Sequence, residues 1–184
     1  ETLDLIESLA PRLSADPRVV ILRLAASREQ ARLGDAAAAR ASALAGLKGL
    51  PEGSPFAPDL YSALAVAERL GRKPEAAVAA ARKAVALGES SGGGAWSRTQ
   101  RMLGLAEALA FASQPAEARK TVDAALAQAP SDPALFSRAS TLLLSLRDVP
   151  AAVEKARRAV EVSQGGDAFA QADASTARRY GGSG

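Results

Sequence analysis

Three kinds of residue in this chain have types and spacings that could support chemistry: paired carboxylates, paired arginines and a run of glycines. The carboxylate pairs are Glu117 with Asp123 and Glu154 with Glu161. General acid–base work needs two such groups buried and converging. Both pairs instead fall among arginines and lysines on segments that read as helix surface, and Glu154 is spaced for local ion pairing with Arg157 and Arg158, an effect of about 0.2–0.5 kcal/mol. Gly92-Gly93-Gly94 stands ahead of a helical segment and could offer backbone amides to a phosphate. No Gly-Lys-Ser or Gly-Lys-Thr follows and no strand precedes, so it reads as a flexible loop. Arg28 and Arg32 lie four apart on one helical face, solvated by default, or attractive to an acidic partner where a fold turns that face into a groove. Histidine and cysteine are absent. The commonest neutral-pH base, the commonest metal ligand, thiolate sites and disulfides go with them. No catalytic, cofactor-binding or metal-binding residue is assigned, no cofactor is expected, and the chain is not expected to be an enzyme.

The elements that carry these residues repeat. Ala118, Ala125 and Leu126 recur as Ala152, Ala159 and Val160, and Leu109 as Leu143, each 34 positions on. Each copy has an apolar-periodic segment, a short break (Ser113-Gln114-Pro115, then Arg147-Asp148-Val149-Pro150) and an alanine-spaced segment, which predicts a helix, a tight turn and a helix. A period in this range points to a solenoid, in which one repeat cannot bury its own apolar face and neighbours stack to do so. Alanine fills 45 of 184 positions and aromatics make up 4%. Small side chains on this scale suit close helix-to-helix packing better than a thick globular core or a β-sandwich. The net charge of +3 is spread evenly over both halves, with no basic block of the kind nucleic acid selects. No uncharged apolar run approaches the roughly 18 residues of a membrane span.

Taken in order, Thr2 to Leu13 carries a helical stripe of Leu3, Leu5, Ile6, Leu9 and Leu13 that Pro11 ends or kinks, and Asp16-Pro17 starts the next helix. Helical segments are then expected at 19–33, 36–50, 59–70, 74–87, 96–112, 115–129, 133–146 and 149–162, with a capping helix at 167–180 and a flexible tail at 181–184. That makes about nine to ten helices, grouped as the second helix of a preceding repeat (1–16) and four repeats (17–51, 56–89, 95–130, 131–164). Loops rich in proline, glycine and serine at 52–58 and 89–94 are insertions into the period. Phe56 is expected to staple its loop to the following helix, and Trp96 either packs the long first helix onto the preceding hairpin or anchors a partner. Arg178-Arg179-Tyr180 reads as a solvated helix end. The start at Glu1, without a methionine or signal-like segment, suggests a piece of a longer protein.

The pattern resembles the tetratricopeptide repeat family. Leu33-Gly34-Asp35 matches that family's turn. Ala39, Ala77, Ala118 and Ala152 match the first alanine of its second helix; Ala84, Ala125 and Ala159 match the second, where the first repeat has Gly46. Pro51 and Pro130 match the closing proline, whereas Glu89 and Gln164 do not. The first-helix aromatic is replaced by Arg23 or its neighbours in the first repeat and by Met102 in the third, and is kept as Phe136 in the fourth. Gly71 and Ala84 are one residue too far apart, so either the second turn is longer or its helix slips, which moves that repeat's groove positions by one.

The resemblance implies an all-α, right-handed α-solenoid of antiparallel helix-turn-helix repeats whose first helices line a concave groove for a peptide or helix of another protein. The groove residues carried over are Ile21, Leu24, Arg28 and Arg32; Tyr61, Ala65, Glu68 and Arg69; Gln100, Leu103, Glu107 and Phe111; and Ala134, Ser137, Thr141, Leu144 and Ser145. Their mixed character predicts an extended or helical polypeptide ligand, held chiefly by Leu103, Phe111 and Tyr61. Two settings follow from it: a passive scaffold segment of a larger bacterial envelope, secretion or polysaccharide-export assembly, or a regulatory or substrate-presenting domain of an enzyme whose catalytic part lies elsewhere. Neither nucleic acid nor a membrane span enters, and the oligomeric state is left open.

Overall fold

The computed structural model describes Ser8 and residues 18–51, 53–90, 94–127 and 131–180, the last of these as backbone alone from 165 onward. Among the described residues all regular structure is helical. Eight helices have defined bounds: α1 Arg18–Arg32, α2 Ala36–Lys48, α3 Ala57–Leu70, α4 Pro74–Ser90, α5 Ala95–Phe111, α6 Pro115–Ala127, α7 Pro133–Ser145 and α8 Val149–Tyr180. Ser8 is helical as well. The rest of the stripe at 2–13, with Pro11, Asp16-Pro17, Gly92-Gly93, Pro130 and the 181–184 tail, lies outside the described residues.

Two expectations differ from the structure. Gly88 does not close α4, which runs on to Ser90. Nor do Gly165 and Gly166 end a helix: α8 carries straight through them. A helical glycine costs about 1 kcal/mol relative to alanine, whereas proline costs about 3, and no proline stands at either place to force a stop.

The chain forms two compact bodies, Glu1–Ala127 with the hairpins α1/α2, α3/α4 and α5/α6, and Gln128–Gly184 with the hairpin α7/α8. All four hairpins turn alike. Gly34, Arg72, Ser113 and Arg147 each hold a left-handed φ of 82°, 56°, 58° and 59°. The next N–H donates to the carbonyl five residues back at 2.9 Å in every case: Asp35 to Gln30, Lys73 to Glu68, Gln114 to Leu109 and Asp148 to Leu143. With the tighter bond from the left-handed residue itself, this arrangement satisfies the last carbonyls of each first helix. The second helix then starts in register, with Ala39, Ala77, Ala118 and Ala152 each donating at 3.0 Å to the residue that follows the left-handed one. Asp35 also caps α2 by accepting from Ala38 N–H at 2.9 Å, and Asp132 caps α7 by accepting from Ala134 N–H at 2.8 Å.

This geometry resolves the irregular second repeat. Arg72, not Gly71, holds the left-handed position, so the turn is neither longer nor slipped.

The alanines that keep the period are buried, Ala39, Ala77, Ala118 and Ala152 to within 1% of fully. In the first repeat Ser27 Oγ donates to Ala39 carbonyl at 2.8 Å, and in the fourth Ser140 Oγ does the same to Ala152. Gly46 stands where the other repeats have alanine because a Cβ there would come within 2.7 Å of Leu60 Cδ2, and Leu60 is fully buried. Leu60 belongs to a cluster with Val20, Leu24 and Ala63, against which Leu47 and Leu50 pack. Phe56 sits at the start of α3 with more than a third of its surface exposed, and Trp96, in the first turn of α5, is half exposed.

Candidate functional site

In the first body each helix packs on the next, and the first helices α1, α3 and α5 also approach one another directly. Among the described residues the backbones of the second helices do not approach one another in this way; α4 and α6 are joined by long side chains, Arg82 Nη2 donating to Glu117 Oε1 at 2.8 Å. A row that is tight along one edge and open along the other curves toward the tight edge. The face carried by α1, α3 and α5 is therefore the concave one.

Aligning the first helices on their left-handed residues fixes which side chains occupy equivalent positions. Ile21, Leu24, Arg28 and Arg32 fall level with Asp59, Ser62, Val66 and Leu70, with Gln100, Leu103, Glu107 and Phe111, and with Ala134, Ser137, Thr141 and Ser145. In the second repeat the face therefore holds Asp59, Ser62, Val66 and Leu70 rather than Tyr61, Ala65 and Glu68, because the one-residue offset rotates the helix by about 100°. Tyr61 is level with Arg23, Met102 and Phe136 and takes the first-helix aromatic position. It turns toward α4, where Lys83 Nζ stands 4.7 Å from the ring centroid. Ala65 is level with the small residues Ser27, Ala106 and Ser140 and is buried. Glu68 is buried and ties α3 to α2, with Arg40 Nε at 2.7 Å and Lys73 Nζ at 3.9 Å.

Two more assigned residues keep their register but not their access. Leu24 is 7% exposed and packs with Leu60 and Ala63 of α3, and Leu103 is fully buried, so neither is open to a ligand.

What the concave face does present is apolar side chains beside ion pairs. Ile21, Val66, Leu70 and Phe111 are exposed. Asp59 on α3 is shared by Arg28 of α1 at 4.0 Å and Arg101 of α5 at 3.5 Å. Arg69 of α3 meets Glu107 of α5 at 3.2 Å. Arg32 is engaged within its own helix, its Nη2 donating to Glu29 Oε1 at 2.6 Å. This bond holds the Glu29 carboxyl below its ordinary value and the Arg32 guanidinium above its own. Gln100 is half-buried at the same level as Ile21 and Asp59.

Besides Asp59, Ser62, Val66 and Leu70, the sequence reading missed Arg101. Its side chain is 9% exposed and lies over Gly88, where any Cβ would collide with the guanidinium. In the helix that the structure extends to Ser90, Gly88 leaves the room this guanidinium occupies.

In the second body the residues of α7 assigned to the groove, Ala134, Ser137, Thr141, Leu144 and Ser145, are all exposed and uncharged. Thr141 Oγ1 donates back to Ser137 carbonyl at 3.1 Å. Among the described residues no group of three or more carboxylates is placed to hold a metal ion, and no helix is long and apolar enough to cross a membrane. The carboxylates Glu117 and Asp123 lie exposed on α6, and Glu154 and Glu161 lie exposed on α8, where Glu161 accepts from Arg158 at 3.1 Å.

No family model matches the sequence, and no curated protein matches it significantly. Solved structures do match. A crystal structure of MamA superposes with a TM-score of 0.61 at 16% identity, over 88% of this chain and 88% of that one. A second MamA structure gives 0.57 at 15% identity, over 89% and 93%. The structure of YrrB, described as a TPR protein with an unusual peptide-binding site, gives 0.55 at 18% identity, over 87% and 82%. Such likenesses, with the repeated turn and alanine ladder, show an all-α chain with the tetratricopeptide-repeat fold.

Proposed function

We propose that the chain is a non-catalytic protein-binding module whose first body takes an extended or helical segment of another protein along α1, α3 and α5. One observation carries this reading. Ile21, Val66, Leu70 and Phe111 are exposed on the concave face, while the charges beside them are largely paired within the chain. Scattered exposed apolar residues need no explanation, but several on one concave face framed by paired charges suit a polypeptide that brings apolar side chains and few charges of its own. The peptide-binding site ascribed to YrrB accords with this use of the fold. The wider setting we infer, a scaffold segment of a larger bacterial envelope, secretion or polysaccharide-export assembly, rests on the family resemblance of the repeats; sequence flanking the segment that encoded a catalytic domain would overturn it.

The test is recovery of partners from a lysate, identified by mass spectrometry, using the wild type, the double variant Ile21→Ala/Phe111→Ala and the control Lys120→Ala on the opposite side of the third hairpin. The reading expects one or more proteins retained by wild type and control and reduced at least tenfold with the double variant. Equal recovery by all three would sink the assignment of the concave face.

A further inference from the structure

The second helices α2, α4 and α8 share one surface that is covered on the first two and bare on α8. Level positions, counted from the residue after each turn, are Ala36, Arg40, Ala43 and Leu47 on α2; Pro74, Val78, Ala81 and Val85 on α4; and Val149, Val153, Ala156 and Val160 on α8. On α2 this surface is covered by α3. A Cβ at Gly71 would stand 3.8 Å from Ala36 Cβ, Arg40 bonds Glu68, and Leu47 packs on the cluster that includes Leu60. On α4 it is covered by α5, leaving Val78 at 6% and Ala81 at 3% exposure. On α8 the same positions hold three valines that are 54%, 47% and 54% exposed. They lie on one side of the helix at i, i+4 and i+11, the periodicity of a helix-docking stripe.

The residues that follow in the chain have the length and the spacing to cover it. Gly165-Gly166 falls where the period places the junction to another first helix: Gly166 stands 34 residues beyond Asp132, the N-cap of α7. One period on from the buried residues Leu135, Ser140 and Leu143 stand Phe169, Ala174 and Ala177. Two adjacent glycines make this the weakest point of the 32-residue helix α8, because each gives up more backbone freedom in a helix than any other residue.

We propose that α8 has a second arrangement, in which it opens at Gly165-Gly166 and the segment 168–180 folds back as a further first helix over Val149, Val153, Ala156 and Val160. The occupant of the bare face is thus the chain's own segment 168–180. The continuous helix leaves the valines open, and the folded-back form closes them as α3 closes α2. This inference is independent of what the concave face of the first body binds.

The chain contains no cysteine, so introduced thiols report without background. Val149 and Tyr180 are level with Ala36 and Gly71, whose Cβ separation suits a disulfide. At opposite ends of α8 they would instead be roughly 47 Å apart at 1.5 Å per residue. Oxidation of Val149→Cys/Tyr180→Cys should give an intramolecular disulfide in most molecules, read by mass spectrometry and non-reducing electrophoresis. Adding Gly165→Ala and Gly166→Ala should slow its formation by roughly tenfold. A second pair, Val153→Cys/Ala177→Cys, level with Arg40 and Glu68, should be joined within one chain by a short bis-maleimide. Free thiols in both pairs, with the helical circular dichroism of the wild type, would overturn the proposal. Bonds formed between chains would also overturn it, since a second copy would then cover the face.

Discussion

In the first body, neighbouring first helices are tied across their concave face by Arg28, Asp59 and Arg101 and by Arg69 with Glu107. In the second body the level residues of α7, Ala134, Ser137, Thr141 and Ser145, are uncharged and exposed. Beneath the surface the contrast vanishes. Ala118 and Ala152 are equally buried, Ser27 and Ser140 make the same bond to the same carbonyl, and Leu109 and Leu143 fill the same place. Close packing of two helices permits few side chains at its narrowest point, whatever surrounds the hairpin, so those positions repeat. Water tolerates almost anything, so the open faces diverge. A shared interior therefore carries two different exteriors, and binding differences between the bodies belong to the latter.

The comparison can be broken from the inside first. Leu103→Ala removes a fully buried side chain and should cost about 2–5 kcal/mol in chemical denaturation. A cost under about 0.5 kcal/mol would mean that Leu103 does not belong to the packed interior. Next, Ala118→Leu and Ala152→Leu overpack equivalent points and should each cost about 1–3 kcal/mol. A large loss for one and none for the other would show that the two hairpins are not built alike. The smallest effect concerns the exposed face. Glu29 is held below its ordinary value of 4.5 by the bond from Arg32. A carboxylate depressed in the folded state contributes to stability above its ordinary value and loses that contribution as pH falls through the lower, folded one. Arg32→Ala should therefore move the Glu29 titration, followed by NMR, upward toward 4.5 and leave the melting temperature near neutral pH unchanged, since exposed pairs contribute little. A Glu29 titration unmoved by the substitution would remove the pair.

Much of this interior was legible in the residues. The alanine spacing gave the period, and proline and glycine gave most helix ends within two residues. The turn was harder to read, because the left-handed place that glycine marks at Gly34 is held by Arg72, Ser113 and Arg147 in the other repeats. Gly71, one residue earlier, drew the alignment to itself and rotated the second repeat's face away from Asp59, Val66 and Leu70. Leu24 and Leu103 show a different limit: they lie level with each other on their helices, but whether a leucine there is open depends on how closely its neighbours pack. Arg101 was hidden for the same reason, since its partner Asp59 is on another hairpin.

Each of the four hairpin turns is closed by backbone bonds that reach no further than five residues along the chain. A hairpin can thus zip up before any distant segment arrives, and the search for the native state is short. Folding has four equivalent places to begin, and growth outward from any of them reaches the same end. Damage to one hairpin should then be felt chiefly by those beside it, giving a chain that frays in steps.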